Sequence, residues 1–248
     1  LAGIDLERCV ADREAEHLVG TRARLVEVAG EEFARRGFAD ATVRAICERA
    51  GVNIAAVNYH FGDKAGLYRA CVQSKYEKSL AHRPPEGGLG PERPAEERLG
   101  VFIATMLERM LDSSEPAWLA RIMAREMVQP TEVFDEMCDH FIRPQFAMLR
   151  GIVAEIIGAE AESVTAYRAA YSVVGQCLFY KHCRAVVERI TPGQGYDLAA
   201  VAGIAEHVTR MSLAGLRAMR EAGADGAAGD AWAADKARFF SGDGRGMS

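Results

Sequence analysis

The chain has 248 residues, 49% hydrophobic and 26% charged, with 30 Lys and Arg against 35 Asp and Glu for a formal net charge of −5. That hydrophobic share excludes a chain disordered throughout, and the length suits one large or two modest domains with their own cores. No apolar run approaches the ~20 residues needed to span a membrane, and none of the six cysteines forms a CxxC pair, which fits reduced, buried thiols in a cytoplasmic protein.

Residues 1–20 have weak helical periodicity and read as an N-terminal extension, partly ordered at best. Their mixed charges (Glu7, Arg8, Asp12, Arg13, Glu14, Glu16) do not fit a secretory leader. A first helix is expected from about Thr21, whose hydroxyl can cap it, with Leu25, Val28, Ala29 and Phe33 on one apolar stripe and Gly37 as its stop. A second helix follows, capped by Thr42 and carrying Val43, Ile46 and Ala50 inward. Gly51 can end it in a left-handed conformation. Asn53 can cap a third short helix that buries Val57 and Phe61. Two short helices joined by a few residues containing Gly make a helix-turn-helix unit. Its second helix would present Ile54, Ala55, Ala56, Asn58, Tyr59 and His60. A fourth helix is expected from Asp63, its cap, to about Ala81, burying Leu67, Tyr68, Cys71 and Val72. The charge is uneven: residues 21–83 carry 11 Lys and Arg against 7 Asp and Glu, net +4, leaving −9 for the remainder. A basic head joined to an acidic body is the footprint of a DNA-binding module with a separate domain.

Through Phe33, Gly37, Thr42, Val43, Ile46, Ala50, Gly51, Val52, Tyr59, His60, Phe61, Lys64, Leu67 and Tyr68, residues 22–68 resemble the DNA-binding domain of TetR-family transcriptional regulators. The run from Asn53 to Lys64 is similar to the branch that includes CerR-like and YbiH-like regulators. In the body, Glu115-Pro116, Arg125-Glu126-Met127 and Gly175-Gln176-Cys177 resemble that branch's C-terminal domain. The resemblance implies DNA-facing roles for Thr42, Tyr59, His60 and Lys64. Geometry adds the rest of the set. The N-terminal part of a recognition helix meets base edges, which puts Ile54, Ala55, Ala56 and Asn58 there, with Asn53 beside them. Small Ala55 and Ala56 can touch thymine methyls and Asn58 can pair with adenine. Thr42, Arg44, Tyr59, His60 and Lys64 suit phosphate oxygens. The sequence departs from common family members at Ile54–Ala56 and at Asn58, which leaves the operator sequence open.

Residues 82–95, with four prolines and three glycines, form a loop. From 96 to 223 the pattern is helical. Helices are expected at Glu96–Leu111, at Glu115–Val128 with Pro116 in the first turn after a break at Ser113–Ser114, and from Thr131 to Gly158 with a kink at Pro144. A helix over Ser163–Ile190 and a last one from Tyr196 or Asp197 to about Ala222 complete the set. Residues 224–248 read as a flexible tail, in which Trp232, Phe239 and Phe240 could form a short docking helix. No segment alternates with period two, so the fold class is all-α: an N-terminal helix-turn-helix domain (21–81) and a larger helical ligand-binding and dimerisation domain (96–223).

Trp118, Met123, Met127, Phe134, Met137, Phe141, Phe146, Tyr171, Gln176, Phe179, Tyr180 and His182 are the candidates for lining an apolar pocket for a small-molecule effector, Met and aromatic side chains being adaptable. As helical core residues they would look the same. The resemblance implies a homodimer joined by the last two long helices. Ala169, Ala170, Val173, Val174, Leu178, Val186, Ile204, Val208, Met211, Leu213 and Leu216 supply apolar stripes there. The partners expected are double-stranded operator DNA, a second copy of the chain and an unidentified effector, with no membrane and no cofactor. Cys177, His182 and Cys183 are near in sequence, but their spacing does not bring three ligands to one point, so no metal is expected. The function read from this is a ligand-responsive repressor released from a palindromic operator. Alternatives are a DNA-binding regulator whose body only dimerises, and an all-helical enzyme. For the enzyme no HExxH, GxSxG or Gly-rich phosphate loop exists, although Glu126, His140 and His182 could be assembled into an acid–base site.

Overall fold

The computed structural model describes the backbone of residues 6–111 and 117–224. Eleven α-helices and no strand are found among the described residues: α1 (Leu6–Arg36), α2 (Val43–Ala50), α3 (Ile54–Phe61), α4 (Lys64–His82), α5 (Ala95–Leu111), α6 (Ala117–Glu126), α7 (Glu132–Met137), α8 (Arg143–Ile157), α9 (Val164–His182), α10 (Arg184–Ile190) and α11 (Leu198–Ala224). The break at Ser113–Ser114, the Pro116 turn and the tail with Trp232, Phe239 and Phe240 lie outside the described residues. None of the helices is long and apolar enough to cross a membrane, among the described residues.

The chain forms two compact units, one of Leu1–His82 with Asp112–Pro144 and the other of Arg83–Leu111 with Gln145–Ser248. In the first, α1 packs on α2, α3, α4 and α6, and α4 packs on α3, α6 and α7. Leu25, Ala29, Phe33, Ile46, Val57, Leu67 and Cys71 are buried there together with Trp118, Leu119, Ile122, Val133 and Met137. Each of the larger aliphatic and Phe side chains, taken from water, contributes about 1.5–3 kcal/mol. Trp118, Leu119, Ile122, Val133 and Met137 thus belong to the core of the first unit, although in sequence they read as part of the body. The reason lies at Gly30 of α1. A Cβ there would sit 2.6 Å from the Trp118 ring, so the missing side chain lets the indole lie directly on α1. The indole Nε1 donates to Glu27 Oε2 at 3.1 Å.

Helix α1 starts at Leu6, not Thr21, which lies half-buried inside it. Residues 6–19 contain neither proline nor glycine and are rich in Leu, Glu, Arg and Ala, so their propensity carries the helix upstream. Gly37 ends it at φ +86°, its N–H donating to Phe33 O at 2.8 Å.

The stretch from Glu132 is not one kinked helix. A π-helical turn, Cys138–Ile142, separates α7 from α8, with the Arg143 N–H reaching back to Cys138 O. Pro144 then falls in the first turn of α8, where a missing N–H costs little. The wider turn absorbs the proline that a continuous α-helix would have had to kink around.

In the second unit, α5 packs on α9 and α11, and α9 on α10 and α11. Leu99, Ile103, Leu107, Leu149, Val153, Ala170, Cys177 and Val208 fill its centre. Ser163 caps α9, its hydroxyl accepting from Ala166 N at 3.2 Å, and Asp197 Oδ1 accepts from Ala200 N at 2.8 Å at the start of α11. The single helix expected over 163–190 is divided at Cys183, which takes φ −100°, ψ 17° between α9 and α10. No proline or glycine marks this break. Anchors flank it instead: Lys181 donates to Met110 O at 2.5 Å, and the Arg184 guanidinium lies 4.2 Å over the Tyr196 ring.

Candidate nucleic-acid interface

Helices α2 and α3 are fixed at both ends by their own sequence. Thr42 Oγ1 accepts from Ala45 N at 3.2 Å, and Gly51 closes α2 at φ +65°, ψ 38° with its N–H directed to Cys47 O and Glu48 O. Asn53 Oδ1 accepts from Ala55 N at 3.0 Å, and Gly62, at φ +80°, ends α3 with its N–H on Asn58 O. Asp63 Oδ1 then accepts from Gly66 N at 2.7 Å and opens α4. Each cap is worth about 1 kcal/mol, and together they set the angle of α3 without help from a ligand.

A charged clamp holds α2 to α1. Glu32 is wholly buried, yet Arg35 Nη2 reaches its Oε1 at 2.9 Å, Arg36 Nε the same oxygen at 2.6 Å, and Arg49 Nη1 of α2 its Oε2 at 2.9 Å. Arg49 also pairs with Glu31 at 2.6 Å. Burial alone would push the Glu32 carboxyl up. The hydrogen bonds from Arg35 and Arg49 and the charges of Arg35 and Arg36 outweigh it and hold the group below the usual carboxylate range. This clamp is not among the residues singled out from sequence. The signal for its local half was present, since Arg35 and Arg36 stand three and four residues after Glu32. The link to Arg49 is tertiary and leaves no such trace.

The residues expected to face DNA divide by exposure. Thr42, Arg44, Asn53, Ile54, Ala55, Asn58 and Tyr59 are exposed, Tyr59 at 74% and Ile54 at 45%. Ala56 is half-buried against the core beside Val57. His60 is also half-buried, with the Tyr59 ring edge-on at 5.0 Å and Phe61 at 5.9 Å. Arg44 Nε donates to Glu48 Oε1 at 3.0 Å in an exposed pair that is easily exchanged. Lys64 is more committed. Its Nζ donates to Ala39 O at 3.0 Å and lies 4.8 Å from the Phe38 ring centroid, which leaves two of its three donors. Arg22 of α1 stacks over Phe61 at 5.4 Å, a second cation beside α3. Gly66 matters for a reason that spacing does not reveal: a Cβ there would lie 1.9 Å from Phe61 O, so the α3–α4 corner closes only around a glycine.

Behind this face, α4 is tied to α6 and α7. The Tyr68 hydroxyl donates to Glu126 Oε1 at 2.5 Å, and Thr131 N donates to Glu126 Oε2 at 2.9 Å. Burial pushes the Tyr68 phenol well above its ordinary range, and the bond to Glu126 adds to the shift. Arg69 of α4 grips Glu136 of α7 through two bonds of 2.5 and 2.7 Å.

The effector candidates fall in two groups. Trp118 and Met137 are buried in the core of the first unit, with Met123, Phe134 and Phe141 half-buried against it, while Met127 is exposed. In the second unit Tyr171, Phe179 and His182 are exposed, and Tyr180 is half-buried against the core. Phe146 stacks on Tyr171 at 4.9 Å. The half-buried Gln176 amide donates to Ser212 Oγ at 3.2 Å, joining α9 to α11. Tyr171, Phe179 and His182 do not face that unit's interior because Ala170, Val173 and Cys177 of the same helix do.

The stripes expected to meet a second copy divide in the same way. Ala169, Ala170, Val173, Ile204, Val208 and Leu216 are buried in the unit's own core, with Val174 and Leu213 packed against it and Leu178 half-buried, whereas Val186 and Met211 are exposed. An outward α9 row of Val164, Tyr171, Gly175 and Phe179 is exposed, as is an α11 row of Gly203, Met211, Gly215 and Met219. A Cβ built on any of these three glycines meets nothing within 4 Å.

Residues 25–71 match the family model described as bacterial regulatory proteins, tetR family, and residues 95–216 match the C-terminal domain of the HTH-type transcriptional dual regulator CecR. A similar curated protein is CecR of Shigella flexneri, 25% identical over 173 residues, covering 64% of this chain and 75% of that protein. RaaS of Mycobacterium tuberculosis is 32% identical over 119 residues, 45% of this chain and 54% of that protein. TtgR of Pseudomonas putida is 40% identical over 65 residues, 26% of this chain and 31% of that protein. Among solved structures, a putative transcriptional regulator from Pseudomonas aeruginosa has TM-score 0.58 at 22% identity, over 79% of this chain and 91% of that one. The fatty acid degradation regulator FadR from Bacillus halodurans has TM-score 0.56 at 16% identity, over 79% and 96%.

Proposed function

Because the chain belongs to the TetR family of transcriptional regulators, we propose that it acts as a cytoplasmic homodimer that binds a palindromic operator through its two helix-turn-helix heads, represses, and is released by a small molecule. Its relatives are regulators and not enzymes, and the same holds for this chain. The observation that carries the reading is the face of α3. Asn53, Ile54, Ala55, Asn58 and Tyr59 are turned to solvent on a helix capped at both ends. A helix so fixed offers hydrogen-bonding and small apolar groups to a major groove at little ordering cost. Thr42, Arg44, His60 and the remaining Lys64 donors, with Ala56 close beneath, complete the contact set.

One head makes few contacts, so two half-sites about 34–36 Å apart or a multiple of this, read by a symmetric dimer, supply the specificity. The outward rows of α9 and α11 support dimerisation, since their apolar side chains lie exposed and their glycines leave room for a close-packed partner helix. The grouping with CecR-like regulators rests on the match over 95–216. For release, the bond from Tyr68 to Glu126 offers a route. An effector that displaces α6 or α7 draws on α4, whose first turn abuts Phe61 O at the end of α3. Coupling of this kind requires the effector to bind the two states with different affinity.

A palindromic duplex selected from a random pool tests the reading. Binding should weaken steeply with salt, and Tyr59→Ala should reduce it without altering the helical circular dichroism. Absence of sequence preference refutes it. A screen that yields no releasing compound, with dimer and DNA binding intact, favours a body that only dimerises.

A further inference from the structure

Resting on the reading of α3 as the recognition helix, we propose that the half-site is read directly at A·T base pairs, through thymine methyl groups and adenine, with no guanine contact from this helix. The residues of α3 are Ile54-Ala55-Ala56-Val57-Asn58-Tyr59-His60-Phe61. Bidentate recognition of guanine uses Arg or Lys, and acceptance from cytosine uses Asp or Glu. Helix α3 has none of these four. Of its two ring groups with hydrogen-bonding atoms, His60 is half-buried beside Phe61 and Tyr59 is exposed at the end of the helix, where its phenol suits a phosphate. What α3 turns outward is apolar at the start, then the Asn58 amide one turn later with the Tyr59 phenol beside it. Ile54 is 45% exposed, an apolar group left in water, and Ala55 beside it is exposed without any bulk to hold a base away. These first-turn positions are the ones that meet base edges, and the base-edge group that rewards apolar contact is the thymine C5-methyl. Asn58 lies one turn after Ile54 on the same face and is exposed, and among the described residues its side chain makes no hydrogen bond that would compete with a bidentate pair to adenine N6 and N7.

The nearby cations all lie off the recognition helix. Arg44 belongs to α2 and shares its guanidinium with Glu48. Lys64 opens α4 with its ammonium on Ala39 O. Arg22 lies over the Phe61 ring. Each can still meet a phosphate, which positions the protein without reading sequence.

The test uses the full chain. Sites selected from a random pool should share A·T pairs at the required half-site positions. Replacing the thymines there by deoxyuracil removes only the methyls and should weaken binding about threefold for each methyl lost. Exchanging the Asn58-facing adenine for guanine should cost about tenfold or more. Asn58→Ala, at an exposed site that leaves the fold intact, should abolish that discrimination while preference at the other positions persists. A selected site whose required positions are guanines, or whose guanine preference disappears in Arg44→Ala, overturns the inference and leaves the regulator reading standing. So does an A·T preference indifferent to both deoxyuracil and Asn58→Ala, which would mean that shape is read. Failure to select any sequence overturns both.

Discussion

Two glycine-to-alanine substitutions in helices should act with opposite sign, and the difference rests on a single distance. At Gly66, near the start of α4, an added Cβ would stand 1.9 Å from Phe61 O, where the intruding atom meets backbone that has no rotamer to escape into. The corner between α3 and α4 must open, breaking or bending the bond from Gly66 N to Asp63 Oδ1. Insertion into packed structure costs about 1–3 kcal/mol, and loss of a cap about 1 kcal/mol more, so Gly66→Ala should destabilise by roughly 2–4 kcal/mol. At Gly151, in the middle of α8, the same methyl meets nothing within 4 Å. There Ala should stabilise by about 0.5–1 kcal/mol, through lower unfolded-state entropy. Urea titration monitored by circular dichroism measures both, and operator affinity measured far below the midpoint should fall for Gly66→Ala alone. A Gly66→Ala protein as stable as the wild type with unchanged affinity would show that α3 does not depend on that closed corner.

Glu32→Gln should destabilise the first unit by about 1–3 kcal/mol near neutrality, since three half-exposed arginines lose their acceptor charge but can turn to solvent. The folded carboxyl is held below its unfolded value. Its contribution is therefore complete above the ordinary carboxylate range of about 4.3 and fades as pH falls through that value toward the lowered one. Wild type and Glu32→Gln should accordingly converge in stability on acidification, and a gap that widened in acid would contradict the assigned clamp. Tyr68→Phe removes a donor from the buried Glu126 and should cost about 1–3 kcal/mol in thermal unfolding. The Cys177 thiol is fully buried and pushed up to about 12 by that burial, so a thiol reagent at pH 8 should label it only as the second unit unfolds. Rapid labelling in native buffer would refute this.

What the sequence discloses depends on whether its cause is local. Thr42, Gly51, Asn53, Ser163 and Asp197 announce their helix ends because a cap is chemistry within four residues, and each makes the bond its residue type suggests. The apolar stripe of α1 and the exposed face of α3 are legible for the same reason, since 3.6-residue periodicity assigns faces. Cys183 has no local signature and follows from anchors at Met110 and Tyr196. The necessity of Gly66 depends on where Phe61 O lies after the corner has formed. Periodicity also cannot name the neighbour of an apolar face. Trp118 and Met137 look like a ligand wall or a core equally well, and the packing of α6 and α7 against α1 and α4 assigns them to a core. The same ambiguity explains the dimer stripes, where Ala170 and Val208 were as apolar as Met211 but turn inward.

The lodging of Trp118 against Gly30 also bears on how such a regulator can be cut and recombined. The chain leaves the first unit at His82, returns to it at Asp112 and leaves again at Pro144. A fragment ending in the proline-rich loop would carry α1 to α4 and lack Trp118, Leu119, Ile122, Val133 and Met137 from its interior. Grafting a foreign domain at that loop would therefore strip the first unit of part of its own core. A viable chimera has to splice around the returning segment, so exchange of parts between regulators of this build is constrained by a tryptophan nearly ninety positions from the glycine it covers.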